Sequence, residues 1–425
     1  MTPIERAARR TFHSLRTRNF RLYFIGQVIS GTGSWVQLVA QTWLVFRLTH
    51  SAMAVGITLG FQFAPLLLFG AWTGVLVDRL DKRRLLIATA AVSGGLALLL
   101  GLVTLTGVAQ VWMVYVLACA LGLVTAIENP GRRAFIPEMV PTADVANAVG
   151  LNSTVFTTAR VIGPAIAGLV IAAVGVGWCF LVNAVSFAAV IWGLAAMRPV
   201  ELRPSPPLAP AKRQLRQGLQ YAWRNRPVRA ALLLTGVIGM FAFNFQVVLP
   251  TLVRRELGGG AGTYGVLLAL LSCGSLVGAL LVAHYGRASM RIMISMAILL
   301  GVAMGAATFA PSIATEMIVL PFVGLTSMVM LAMATAVCQE ATAPEFRGRV
   351  MALFGMAFVG STPIGGPIIG WVSQTFGPRF GLGIGAVASL GAGTVAYLAY
   401  RRSDVLVPVD ASEIAQATEP SVAVT

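Results

Sequence analysis

Apolar runs of about 20 residues recur along almost the whole chain, and they constrain it more than any other feature. A helix needs roughly 20 apolar residues to cross about 30 Å of hydrocarbon, and only structures that satisfy their own backbone can do so. Dividing the runs at Gly, Pro or charge predicts twelve spans. Six lie in the first half, at Phe20–Phe46, Ala52–Val77, Leu85–Thr106, Val111–Ile127, Ala146–Val174 and Trp178–Met197. Six lie in the second, at Ala230–Val253, Tyr264–Ala283, Ile292–Ala310, Ile313–Cys338, Val350–Phe376 and Phe380–Tyr400. Composition agrees: 57% of residues are hydrophobic and 11% charged, with a mean hydropathy of +0.81, against about 25% charged in soluble domains. An ordinary soluble enzyme is excluded.

The net charge of +16 could suggest nucleic acid, but the basic residues sit in short clusters between the runs, so topology explains them and no nucleic-acid partner is expected. Cys119, Cys179, Cys273 and Cys338 lie far apart inside apolar stretches, and His13, His50 and His284 are equally scattered. Neither set has metal-ligand spacing, so no metal or cofactor is expected. The basic segment 1–19 leads into an apolar run longer than a signal-peptide core of about 7–15 residues, and reads as the approach to an uncleaved first span.

Between the halves, residues 198–229 form the one long polar connection, with Pro204, Pro206, Pro207 and Pro210 followed by a basic segment. Leu215, Leu219, Ala222 and Trp223 fall at helical spacing there, consistent with a short surface helix or with a solvated loop. Residues 20–197 and 230–402 are the two expected six-helix bundles, and 403–425, acidic and without Lys or Arg, reads as a disordered tail. Lys and Arg concentrate in alternate loops. The opposite side holds only Arg47, Arg254, Arg255 and Arg379, while Arg160 falls inside a span. This asymmetry predicts that both termini and the linker are cytoplasmic. The halves are also related by a repeat: Ile162-Gly163-Pro164-Ala165-Ile166-Ala167-Gly168 aligns without gaps to Ile364-Gly365-Gly366-Pro367-Ile368-Ile369-Gly370, and Gly175 then pairs with Gly377. Such six-plus-six repeats around a cytoplasmic linker build many secondary transporters.

After span 2 the chain reads Gly74-Val-Leu-Val-Asp78-Arg79-Leu-Asp-Lys82-Arg83-Arg84. This resembles the signature of the major facilitator superfamily, in which a Gly, an Asp-Arg pair and a basic cluster lie between spans 2 and 3. The resemblance covers about Phe20 to Arg402 and implies an all-α membrane protein of two pseudo-symmetric six-helix bundles. The second copy, at Ala279 to Arg291, has Ala283 and His284 in the Asp-Arg places. In the family this loop is thought to latch the first bundle to span 11, which starts here at Arg347-Gly348-Arg349. Alternatively, Arg79 to Arg84 only enforces topology. Asn19-Phe20-Arg21, Ser51-Ala52-Met53, Arg160-Val-Ile-Gly163-Pro164 and Phe346-Arg347-Gly348-Arg349-Val350 resemble the bacterial exporter branch that includes macrolide-efflux and enterobactin-exporter proteins. That resemblance implies a monomeric exporter of amphipathic small molecules (drugs, antibiotics or siderophore-like products) in the bacterial cytoplasmic membrane, working by proton-coupled antiport. Import by the same fold, a membrane scaffold or a membrane enzyme are the alternatives.

Several residues inside the spans are candidates for that work. Gln27, Ser30, Ser34, Gln37 and Gln41 share one face of span 1, as the wall of a substrate cavity or as hydrogen-bonding groups for neighbouring helices, with the cavity favoured. Asn244 and Gln246 in span 7 are weaker candidates for the same cavity. Arg160 stands near mid-membrane, where an arginine costs about 2.5–3.5 kcal/mol. It could bind an anionic substrate group, neutralise a carboxylate, or pair with carbonyls near Gly163-Pro164. Gly163, Gly168, Gly366 and Gly370 allow close helix approach, and Pro164, Pro363 and Pro367 introduce bends. No Asp or Glu is central to a span. Glu128, at the end of span 4, is the preferred proton carrier, expected to approach Arg160 from the neighbouring span, and no arginine is expected within span 4.

Overall fold

The computed structural model describes residues 12–77, 79–203, 214–285 and 288–401. Asp78, most of the proline-rich part of the linker, Arg287 and the tail from 402 onward lie outside them. In the first half the long helices are α1 (Arg18–Thr49), α2 (Ala52–Val77), α3 (Lys82–Leu105), α4 (Val111–Met139), α5 (Val145–Ala173) and α6 (Val176–Ala195). The linker contributes α7 (Gln214–Arg224). The second half follows with α8 (Arg226–Phe241), α9 (Phe245–Arg255), α10 (Ala261–Tyr285), α11 (Met290–Thr308), α12 (Ile313–Glu340), α13 (Pro344–Phe358), α14 (Thr362–Thr375) and α15 (Pro378–Arg401). Among the described residues, eleven helical segments are long and apolar enough to cross a membrane, with α8–α9 and α13–α14 each forming one. At 32 residues α1 has the length, but its polar stripe lowers its apolarity below that of the eleven.

Local chemistry sets the helix ends. Asp81 caps α3 by accepting from the Arg84 amide, and Ser312 closes a capping box with Thr315 at the start of α12. Gly175 and Gly377, paired by the sequence repeat, adopt φ values of 97° and 109° and precede α6 and α15. The same left-handed turn therefore starts the last helix of each half, at a position where a side chain would be strained.

Three spans differ from expectation. The fourth span does not stop at Ile127. It continues to Met139, so Glu128, Asn129 and Arg132 are helical, because Glu128 and Arg132 pair one turn apart and need no loop to meet water. Span 7 breaks at Ala242–Asn244, and span 11 starts at Pro344 and breaks at Val359–Ser361. The pseudo-equivalent helices α1 and α5 run unbroken.

Within the first half α1 packs on α5 and α6, α2 on α4, and α3 on α4 and α6. In the second, α10 packs on α12, α11 on α12 and α15, and α8 on α13 and α15. Trp72, Leu169, Val185, Trp192, Phe309 and Val387 point outward and are exposed, an apolar surface suited to lipid rather than water. The end of the molecule from which α1 sets out is called the terminal face below, and the opposite end the distal face.

Candidate functional site

A cavity of about 220 Å³ lies between the halves, lined by Trp35, Phe156, Thr157, Arg160 and Val161 from the first and by Ser272, Ser275 and Met328 from the second. Each of its helices contributes from near its midpoint, so the cavity sits at mid-height. Arg160 makes no hydrogen bond or ion pair with any described residue. Its guanidinium carbon stands 5.6 Å from the centroid of the Trp35 ring. Gly163 makes that contact available: a Cβ there would run into Cβ of Trp35, so the glycine brings α1 against α5 one turn beyond Arg160. A desolvated cation–π contact is worth about 2 kcal/mol, less than the roughly 2.5–3.5 kcal/mol that a central arginine costs.

The polar stripe of α1 divides between neighbours. Gln27 accepts from Arg132 at 3.0 Å, Gln37 accepts from Asn183 of α6 at 2.6 Å, and Gln41 donates to Gln62 of α2 at 3.1 Å. Ser30 is buried, and Ser34 is exposed with its hydroxyl on the Ser30 carbonyl. Asn244 sits at the break between α8 and α9 and donates to the Met240 carbonyl, with Gln246 half-buried beside it. None of these seven lines the Arg160 cavity; the aromatic ring next to the stripe, Trp35, does.

Glu128 does not reach Arg160. Its carboxylate lies 3.5 Å from Arg132, with both side chains largely buried. Arg132 also donates to Asn129 and lies 4.4 Å from the centroid of Phe156. Phe156 therefore touches the charged cluster on one side and lines the cavity on the other. By sequence alone Arg132 falls in a loop, and Ser272 and Ser275 are not among the candidates. The four-residue spacing of Glu128 and Arg132, and the three-residue spacing of the serines, were the available signals.

At the terminal face the basic loop is tied to its own half. Lys82 pairs with Glu138 of α4 at 2.8 Å, and Arg83 donates to the carbonyls of Leu194 and Ala195 at the end of α6. Gly74 lies in the last turn of α2, and Arg79 is exposed. Across the halves, Arg347 bonds the Gln339 carbonyl and Arg349 lies over Phe346, both within the second half.

The halves close on each other toward the distal face, around a groove of about 310 Å³ lined by Trp43, His50, Ile171 and Arg254 among others. The helix pairs that pack extensively across the halves are α2 with α14, α5 with α10, and α9 with α1 and α2. A Cβ on Gly168 would lie 2.9 Å from Cα of Gly265, one on Gly366 3.1 Å from the Gly56 carbonyl, and one on Gly370 2.8 Å from Cα of Met53. Pro367 packs by Gly56 and Gly60 in the same seam, while Pro164 lies inside the unbroken α5. Among the described residues, the hydrogen bonds joining the halves are also distal: Thr42 with Tyr264 at 2.9 Å, the Ala52 amide to Gln374 at 3.1 Å, and Arg255 to the His50 carbonyl at 2.6 Å. Among the described residues no group of His, Cys, Asp and Glu is placed to hold a metal.

A family model described as transmembrane secretion effector matches residues 9–424. A staphyloferrin A transporter of Staphylococcus aureus is 24% identical over 363 residues, covering 84% of this chain and 90% of its own length. Macrolide efflux protein A of Streptococcus pyogenes is 24% identical over 359 residues, covering 81% and 87%. The solved structure of a bacterial homologue of the human lysosomal transporter Spinster superposes with a TM-score of 0.73 at 14% identity, covering 90% of this chain and 97% of that one, and shares its fold. These matches bear out the resemblance read from the loop after span 2 and from the exporter-branch strings.

Proposed function

The chain belongs to the transmembrane secretion effector family of the major facilitator superfamily, and on that premise we propose that it exports amphipathic small molecules from a bacterial cytoplasm by alternating access. Relatives named for macrolide efflux and staphyloferrin A transport support this substrate range. The observation that carries the mechanism is the asymmetry of the seam: glycine-lined contacts close the distal end while the Arg160 cavity lies between the halves at mid-height. The Lys and Arg asymmetry assigns the terminal face to the cytoplasm, so this arrangement is the state that loads substrate from inside.

In the other state the halves rock apart at the distal seam and meet at the terminal face. There Asp78 and the basic loop latch onto the start of α13 at Arg347 and Arg349. Lys82 and Arg83 brace the loop against α4 and α6, so the latch moves with its bundle. Glu128 is the proton carrier of an antiport cycle. Its partner is Arg132, and Phe156 connects that pair to the substrate cavity. Proton arrival at Glu128 releases Arg132, and the change is felt where substrate binds. The stripe of α1, with Asn244 and Gln246, borders the route above and below the cavity. The protein works as a monomer among membrane lipids.

Cells expressing the protein should accumulate less of a set of antibiotics and dyes than control cells, and an uncoupler should restore accumulation. Substrate-driven uptake with no efflux phenotype would remove the export reading. Efflux that persists with the uncoupler would remove proton coupling alone.

A further inference from the structure

Two other largely buried cations are matched by acids, Lys82 by Glu138 and Arg132 by Glu128. Arg160 differs from them: among the described residues no carboxylate lines its cavity. A buried cation with no anion is tolerated where a ligand or water supplies what the protein withholds. The surrounding groups define that ligand. Trp35 lies on one side of the guanidinium, and Phe156, Val161 and Met328 give the rest of the cavity an apolar lining. From the second half, the Ser275 hydroxyl is committed to the carbonyls of Leu271 and Gly324, whereas Ser272 has no hydrogen-bond partner among the described residues and faces the same space. The volume of about 220 Å³ is below the roughly 300–1,000 Å³ of pockets that enclose a whole drug-sized ligand. It fits one end of a molecule.

We propose that this cavity holds the carboxylate end of an amphipathic organic anion, with Arg160 forming a bidentate pair, Ser272 donating from the opposite half, and the apolar body lying against Trp35, Phe156 and Met328. This inference rests on the exporter reading and narrows its substrates to acids. A guanidinium reads a planar carboxylate through two parallel N–H donors. A cationic compound would meet an unpaired like charge, which disfavours it. Because Arg160 and Ser272 belong to different halves, a bound carboxylate also bridges the two bodies that must move relative to one another.

The test uses the full-length protein in lipid nanodiscs and matched pairs of amphipathic carboxylic acids and their methyl esters: fusidate, indomethacin and 2-naphthoate. Binding is measured by calorimetry. At least one acid is expected to bind about tenfold or more tightly than its ester, the ratio of one charge-assisted pair. Arg160→Met should erase that preference while leaving ester binding in place, and Arg160→Lys, which keeps charge but not the fork, should retain part of it. If no acid binds better than its ester, or if Arg160→Met keeps the preference, the proposal is overturned. The wild-type comparison needs no variant to fold. Transport of the same compounds and of ethidium into inverted vesicles is read separately. Acid-selective binding with no transport of any compound would overturn the exporter reading and leave the anion site standing. Transport of esters and ethidium without acid-selective binding would do the reverse.

Discussion

The loop between α2 and α3 and the loop between α10 and α11 occupy equivalent places in the two halves, yet different chemistry holds them. In the first half an ion pair does it: Lys82 reaches Glu138 at the end of α4, and both side chains are nearly buried. In the second half, among the described residues, Glu340 at the end of α12 accepts from the Ala288 amide alone, at 3.3 Å in an exposed setting. The linker helix and the residue after it brace the neighbouring α12–α13 connection instead. Tyr221 stacks on Phe346 at 4.4 Å and accepts from the Ala343 amide, and Asn225 donates to the Ala341 carbonyl. The same contrast runs through the interior, where the first half has unbroken helices carrying Glu128, Arg132 and Arg160, while the second breaks both of its repeat-related helices. One repeat has thus become the chemically specific body and the other the more jointed one.

The largest effect that could break this comparison is on stability. Lys82→Met removes the ion-pair partner of the buried Glu138 carboxylate, which should cost up to about 3–5 kcal/mol and lower the thermal unfolding midpoint of the purified protein. An unchanged midpoint would mean that the ion pair holds nothing. Next in size is the distal seam. Gly265→Leu forces a side chain against Gly168, and overpacking of about 1–3 kcal/mol should shift the distally closed state about 5–150-fold toward opening. The rate at which a cysteine at position 42 is labelled reads this shift. Gly305→Leu, where nothing lies within 4 Å, should leave that rate unchanged.

Asp78→Asn sharpens the contrast between the loops by removing the carboxylate that the second copy lacks. Turnover should fall severalfold while insertion and expression stay normal, as judged by vesicle transport per mole of protein. Smallest should be Glu340→Gln. It keeps an acceptor for Ala288 and should change stability by less than about 1 kcal/mol. A drop as large as that of Lys82→Met would erase the distinction between the halves.

Much of the fold was legible because its causes are local. Apolar run length places the helices, and the repeat pairs Gly175 with Gly377, which the structure shows in the same kind of turn. The end of α4 was not legible by the same rule, since charge was taken to end a span and Glu128 and Arg132 neutralise each other within one. The breaks in α8–α9 and α13–α14 were equally hidden. Pro363 and Pro367 marked the second only as a bend, and nothing in Ala242-Phe243-Asn244 announces the first. The site was half legible. Arg160 stood out by its charge, but its neighbours come from four helices and both halves, and a chain with one spacing rule cannot say which faces meet.

The sequence by itself determined that the chain is a repeated, helical membrane protein with a basic face, because hydrocarbon admits few backbones and charge asymmetry survives without knowledge of packing. Tertiary structure decided the rest. It turned the polar stripe of α1 into three separate interhelical contacts, paired Glu128 with Arg132 instead of Arg160, and left Arg160 against Trp35 in a cavity shared by both halves. Which partner a buried polar group finds depends on the rotation and crossing of whole helices, and those are set by the close glycine contacts between them.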